Sequence, residues 1–120
     1  MLEIQDHGAV REIRLDGRPV DAEVGAEAGY FVIHPNFRNY PPSDSGPDAF
    51  RTGYAIDVLN LIAIIRAQSL DPEGPLRRAD REAIHLWGHS MGGNVLLRAM
   101  LVEAEIKAGA IWAGAVYLYK

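Results

Sequence analysis

One run constrains this chain more than any other: Leu86-Trp87-Gly88-His89-Ser90-Met91-Gly92-Gly93-Asn94. Ala83 to Trp87 before it reads as a strand. Met91 to Glu105 reads as a helix, with Val95, Leu96, Ala99, Met100 and Val102 mostly on one side. A serine in Gly-x-Ser-x-Gly between a strand and a helix sits on a sharp, strained turn. Side chains at positions 88 and 92 would meet neighbouring backbone, so glycine is required there. The Ser90 hydroxyl is thereby held clear of the sheet's carboxyl edge, where open α/β sheets bind ligands. The helix that follows supplies unpaired N–H groups and the positive end of its dipole. The Met91 N–H, next after the serine, is the natural first donor to an oxyanion. Ser90 is the candidate nucleophile, and Gly88, His89, Gly92 and Gly93 shape the turn around it.

Three fixed residues of this kind would arise by chance in such a chain roughly a few times in a hundred, with glycine and serine each near 7% of residues. The strand before and the helix after are independent requirements, and both are met. The competing reading is a glycine-rich turn with an idle serine. A phosphate-binding loop is disfavoured, because Gly88, Gly92 and Gly93 do not make Gly-x-Gly-x-x-Gly and no lysine follows them.

The pattern around this run is α/β. Tyr30-Phe31-Val32-Ile33 is a short apolar run that predicts a strand buried on both faces. His34 to Asp48 is a loop punctuated by Pro35, Pro41, Pro42, Gly46 and Pro47. Asp48 is placed to cap a helix from about 49 to 68, with Phe50, Tyr54, Val58, Leu61, Ile62 and Ile65 on its apolar face. A loop follows over 70–80. Gly109 ends the second helix, and 110–119 predicts a third buried strand. Strand, helix, strand, helix, strand implies a mostly parallel sheet with flanking helices, joined by right-handed crossovers. Residues 1–28 read differently: Ile13 and Leu15, then Asp16-Gly17, then Val20, Ala22 and Val24 signal a β-hairpin, weakened by Pro19. The organisation expected is a poorly matching segment over 1–28 and the serine-bearing unit over 29–120.

Composition narrows the function classes. Twelve Lys and Arg against 16 Asp and Glu, with no basic run, argue against nucleic acid and anionic membranes as partners. The absence of cysteine removes disulfide and thiolate-metal sites. The first six residues carry acids and no apolar core segment, so a cytoplasmic location is the expectation.

From about Gly29 onward the chain resembles the prolyl oligopeptidase family of serine hydrolases and the related dienelactone-hydrolase-like enzymes. The residues that carry the likeness are Gly29-Tyr30-Phe31-Val32-Ile33-His34-Pro35-Asn36-Phe37-Arg38, Asp57, and Leu86 to Gly93. The serine turn alone points to the α/β-hydrolase superfamily, and the loop through Arg38 points towards its peptidase-like members. The resemblance implies a partial α/β-hydrolase fold and hydrolysis of a small ester or peptide through a Ser90 acyl-enzyme, with no cofactor and no metal. Family members usually carry glycine where this chain has Asn39. The family order also places an acid and then a histidine after the serine. Here the only acids after Ser90 are Glu103 and Glu105, and no histidine follows. The expectation is therefore a fragment whose triad acid and histidine lie elsewhere. The alternative is a catalytically inactive module or degenerate gene product that kept the turn as scaffold. A truncated sheet would expose an apolar edge, which invites self-association.

Other candidates read as structural. His89 is adjacent to Ser90 but points another way and is expected to pack beneath the turn. His85 and His89 are four apart on a strand, about 13 Å, too far for one ion. His34 follows a strand at the sheet's carboxyl edge. Arg38 is expected to pair with a protein carboxylate and Asp57 to serve a structural hydrogen bond. Trp87, Trp112, Tyr117 and Tyr119 are expected to be buried in or against the sheet.

Overall fold

The computed structural model describes residues 2–4, 25 and 27–114. Three strands, β1 (Leu2–Ile4), β2 (His85–His89) and β3 (Ala108–Trp112), form a parallel sheet in the order β1-β2-β3. Two helices, α1 (Thr52–Gln68) and α2 (Met91–Val102), pack on the face presented by Leu86. The fold is α/β with a parallel sheet, as the alternating pattern implied.

Side chains alternate along β2, so Leu86 and Gly88 turn inward while His85, Trp87 and His89 are half-buried on the other face. Leu86 meets Val58 and Ile62 of α1 and Val95, Leu96 and Ala99 of α2 in one apolar cluster. Each of these larger side chains stabilises the fold by about 1.5–3 kcal/mol through burial. The three- and four-residue spacing read from the sequence does set the buried faces of both helices: Tyr54, Val58, Ile62 and Ile65 on α1, and Val95, Leu96 and Ala99 on α2.

Several elements differ from expectation. Tyr30 to Ile33 forms no strand; Ile33 makes an isolated bridge, and Tyr30 and Phe31 are exposed. A strand has two edges, and both edges of β2 are already taken, one by β3 and the other by β1, with Leu2 opposite Leu86. β1 was not anticipated. The hairpin read over 13–24 lies outside the described residues, as do Tyr117 and Tyr119. β3 spans Ala108–Trp112, starting two residues earlier than expected, and is exposed at all five residues; the part of the expected strand over 115–119 lies outside the described residues. Trp112 is 61% exposed, against the burial expected. As the last strand of the described sheet, β3 has a neighbour on one side only.

The start of α1 is also altered. Asp48 makes no side-chain cap; Ala49–Arg51 is a single 3-10 turn in which Phe50 and Arg51 adopt left-handed φ of 52° and 61°. The incoming chain crosses the helix end so closely that a Cβ on Gly53 would sit 2.7 Å from the Pro47 carbonyl oxygen. Phe50 is thrown outward as a result, 65% exposed and off the apolar face. Arg98 of α2 holds this corner by donating to the Phe50 carbonyl at 2.7 Å and to Thr52 Oγ1 at 3.2 Å. α2 ends at Val102, three residues early, where Glu103 becomes extended and its carboxylate turns to Arg66 of α1 at 3.1 Å.

The 34–48 loop is fixed from three directions. Phe37 is 1% exposed and stacks on Tyr54 with centroids 4.8 Å apart. Burial there pushes the Tyr54 phenol above its usual range, and Tyr40 adds to the rise. Arg38 forms a forked ion pair with Asp57, its closest contact 2.7 Å, while its backbone N–H donates to the same carboxylate at 3.1 Å. The guanidinium's hydrogen bonding to Asp57 raises the Arg38 pKa further above its already high ordinary value. Asn39 clasps the loop: its Nδ2 donates to the Gly46 carbonyl at 3.0 Å and its Oδ1 accepts from the Gly46 N–H at 2.9 Å.

Asn39 has φ 69°, a left-handed conformation. Glycine adopts it without cost and asparagine tolerates it better than other side chains, so Asn39 can hold this conformation. Asn39→Ala loses both hydrogen bonds and strains the backbone. It is expected to destabilise by about 2 kcal/mol, whereas Asn39→Gly loses only the clasp and should cost about half as much. Urea unfolding of the two variants checks the ranking.

Candidate active site

The site is built at the junction of β2 and α2. Ser90 follows His89 directly and is the N-cap of α2. Serine at this position ordinarily caps the helix by accepting a hydrogen bond from an N–H of the first turn. Ser90 makes no such bond. Its backbone instead takes φ 51° and ψ −118°, a positive φ that a non-glycine residue holds at a cost of about 1–3 kcal/mol. Two backbone hydrogen bonds fix that conformation. The Ser90 N–H donates to the Trp112 carbonyl at 3.0 Å, tying the turn to the end of β3. The Gly93 N–H donates to the Ser90 carbonyl at 3.1 Å, closing the first turn of α2.

The turn closes only because two glycines let backbones touch. A Cβ on Gly88 would lie 2.6 Å from the Gly92 carbonyl oxygen and 2.8 Å from the Gly93 nitrogen. A Cβ on Gly93 would lie 2.7 Å from Ile111 Cγ2 and 3.1 Å from Gly114 Cα on the β3 side. The glycine requirement read from the sequence is met at Gly88, where the facing atoms are the backbone of Gly92 and Gly93. Gly93 carries a second close approach that the sequence reading did not assign.

The half-buried Ser90 stands at the carboxyl end of β2, with the first N–H groups of α2 beside it. With the Gly93 N–H used internally, the N–H groups of Met91 and Gly92 are left at the helix start. The Met91 side chain is buried in the core cluster, so its backbone is held firmly. His89 is half-buried on the sheet face opposite the helices, beside Trp112 in register, and its Nδ1 is buried with no hydrogen-bond partner among the described residues.

The remaining sequence candidates lie elsewhere. His34 lines a cavity of about 660 Å³ together with Asn36, Arg38, Asp57 and Asn60, and Ser90 is not part of its wall. Arg38 and Asp57 are bound to each other. Glu103 and Glu105 both pair with Arg66, beyond the far end of α2. That end is about 18 Å from Ser90 at the rise of an α-helix. His85 and His89 occupy opposite ends of β2. Among the described residues no three of His, Cys, Asp and Glu gather as metal ligands, and no helix is long and apolar enough to cross a membrane.

A strand–serine turn–helix with these close glycine contacts is the arrangement on which one large enzyme family is built. The family model described as "Alpha/beta hydrolase family" matches residues 7–118, and the chain belongs to that family. No curated protein and no solved structure matches the chain significantly.

Proposed function

We propose that the chain is the nucleophile-bearing part of a serine hydrolase of the prolyl oligopeptidase-like or dienelactone-hydrolase-like type. The observation that carries this reading is the conformation of Ser90: a serine at a helix N-cap that declines to cap and holds a positive φ instead. A merely structural serine would take the capping bond and relax the backbone. Ser90 Oγ attacks the carbonyl carbon of an ester or peptide. The Met91 N–H donates to the oxyanion of the tetrahedral intermediate, the alcohol or amine departs with a proton, and water releases the acid from acyl-Ser90.

The Ser90 proton needs a base, and the residues after Ser90 contain no histidine. Glu103 and Glu105, held by Arg66, are not placed to act as the triad acid. In this reading acid and histidine come from a segment outside the chain or from another chain. β3, exposed along its length, is the edge on which such a segment would add a strand. The alternative reading is a catalytically silent module that retains the turn as scaffold.

A fluorophosphonate probe separates the two. The isolated chain should label about 10²–10⁴-fold more slowly than a complete serine hydrolase, the typical contribution of a general base, and Ser90→Ala should not label at all. Labelling that survives Ser90→Ala would overturn the assignment of the nucleophile. Labelling at the full rate would show that base and acid are already present, and none at all would favour the silent module.

A further inference from the structure

At the opposite end of β2 from Ser90 the fold encloses a second cavity, of about 560 Å³. Its wall includes Tyr30, Phe31, Ile65, Arg77, Arg78 and His85. The five-residue rise of the strand separates His85 from Ser90 by roughly 16 Å, so the cavity is distinct from the serine site. We propose that it binds a small aromatic carboxylate.

Three features carry the assignment. First, the volume falls within the range of about 300–1,000 Å³ typical of small-molecule sites. Second, the apolar side presents aromatic surface. Tyr30 and Phe31 are both 45% exposed, although they belong to the run expected to be a buried strand. The Tyr30 ring stands edge-on to His85 with centroids 5.7 Å apart. Ile65, buried at the end of α1, forms part of the wall. Two accessible rings over an aliphatic wall suit a flat ring, which gains from edge-to-face contact as well as burial.

Third, the polar side is cationic. Arg77 is partly committed, its Nη1 donating to the Gly74 carbonyl at 3.2 Å, and Arg78 is exposed and makes no ion pair with a described residue. Among the described residues Asp80 is the one acid in the wall, and its Oδ1 already accepts from the Glu82 N–H at 2.9 Å. Two arginines against one carboxylate make the described wall net positive, and guanidinium matches carboxylate geometry in a two-point fork. The site does not depend on whether Ser90 is acylated.

The probe is 2-naphthoate, titrated calorimetrically into the 120-residue chain beside the neutral 2-naphthamide. Naphthoate should bind one per chain, about tenfold more tightly than naphthamide, the factor expected for one charge-assisted pair. The double variant Arg77→Gln/Arg78→Gln should bring naphthoate down to the naphthamide level and leave naphthamide unchanged. Tyr30→Ala should weaken both compounds alike. Equal affinity of acid and amide, naphthoate binding insensitive to the arginine pair, or no binding at millimolar concentration would each overturn the proposal.

Discussion

Gly88→Ala is expected to destabilise the chain by about 3–5 kcal/mol and to abolish labelling of Ser90 together with it. The added Cβ would stand 2.6 Å from the Gly92 oxygen and 2.7 Å from the Gly92 carbonyl carbon, and both belong to the backbone of α2. No rotamer change relieves that contact, so the helix must move away from the strand. α2 cannot move freely, because Val95, Leu96 and Ala99 are fully buried behind it. Moving it also strains the Ser90–Trp112 hydrogen bond that fixes the turn. Gly109 is the control. A Cβ there would meet Met100 Sδ at 2.7 Å and Leu96 Cδ2 at 2.9 Å, ends of flexible side chains that can yield. Thermal unfolding should show Gly109→Ala losing much less than Gly88→Ala. Equal losses would mean that the turn is not held by close backbone contact.

How much of this was legible in the sequence depends on whether the information is local. The serine turn was legible because its glycines, its preceding strand and its following helix occupy one short run, and the helix faces were legible because their period is local. Tyr30 to Ile33 shows the limit. Its apolar, β-branched run satisfies every local condition for a strand, yet the free edge of β2 went to Leu2–Ile4, more than eighty residues away along the chain. A local pattern cannot rank such distant competitors. β3 fails for a related reason: its apolar residues read as buried, but burial depends on a strand's place in the sheet. For the site, the sequence offered residue types and order. The positive φ and the unused cap, on which the proposed role of Ser90 rests, exist only in three dimensions.

Phe37 is the residue whose weight the sequence concealed most, and Phe37→Ala is expected to cost about 3–5 kcal/mol. It lies in a proline-rich loop with no periodicity to mark it as core, yet it is among the largest fully buried side chains. Removing the ring leaves a cavity against Tyr54 and forfeits a stacked aromatic contact of about 0.5–1.5 kcal/mol beyond burial. The neighbouring anchors are worth less. The Arg38–Asp57 pair is partly solvent-exposed on both sides, so water screens much of its Coulomb energy, and its worth comes chiefly from its hydrogen bonds. The Asn39 clasp is exposed to water and contributes two ordinary hydrogen bonds. The loop is therefore held in place mainly by burial of one ring, with charge and hydrogen bonding setting its shape. Phe37→Leu, which keeps most of the volume and loses the stack, should recover more than half of the loss. If urea unfolding instead shows Phe37→Ala no more damaging than Asn39→Ala, the loop owes its position to the polar clasps, and the ring is a passenger.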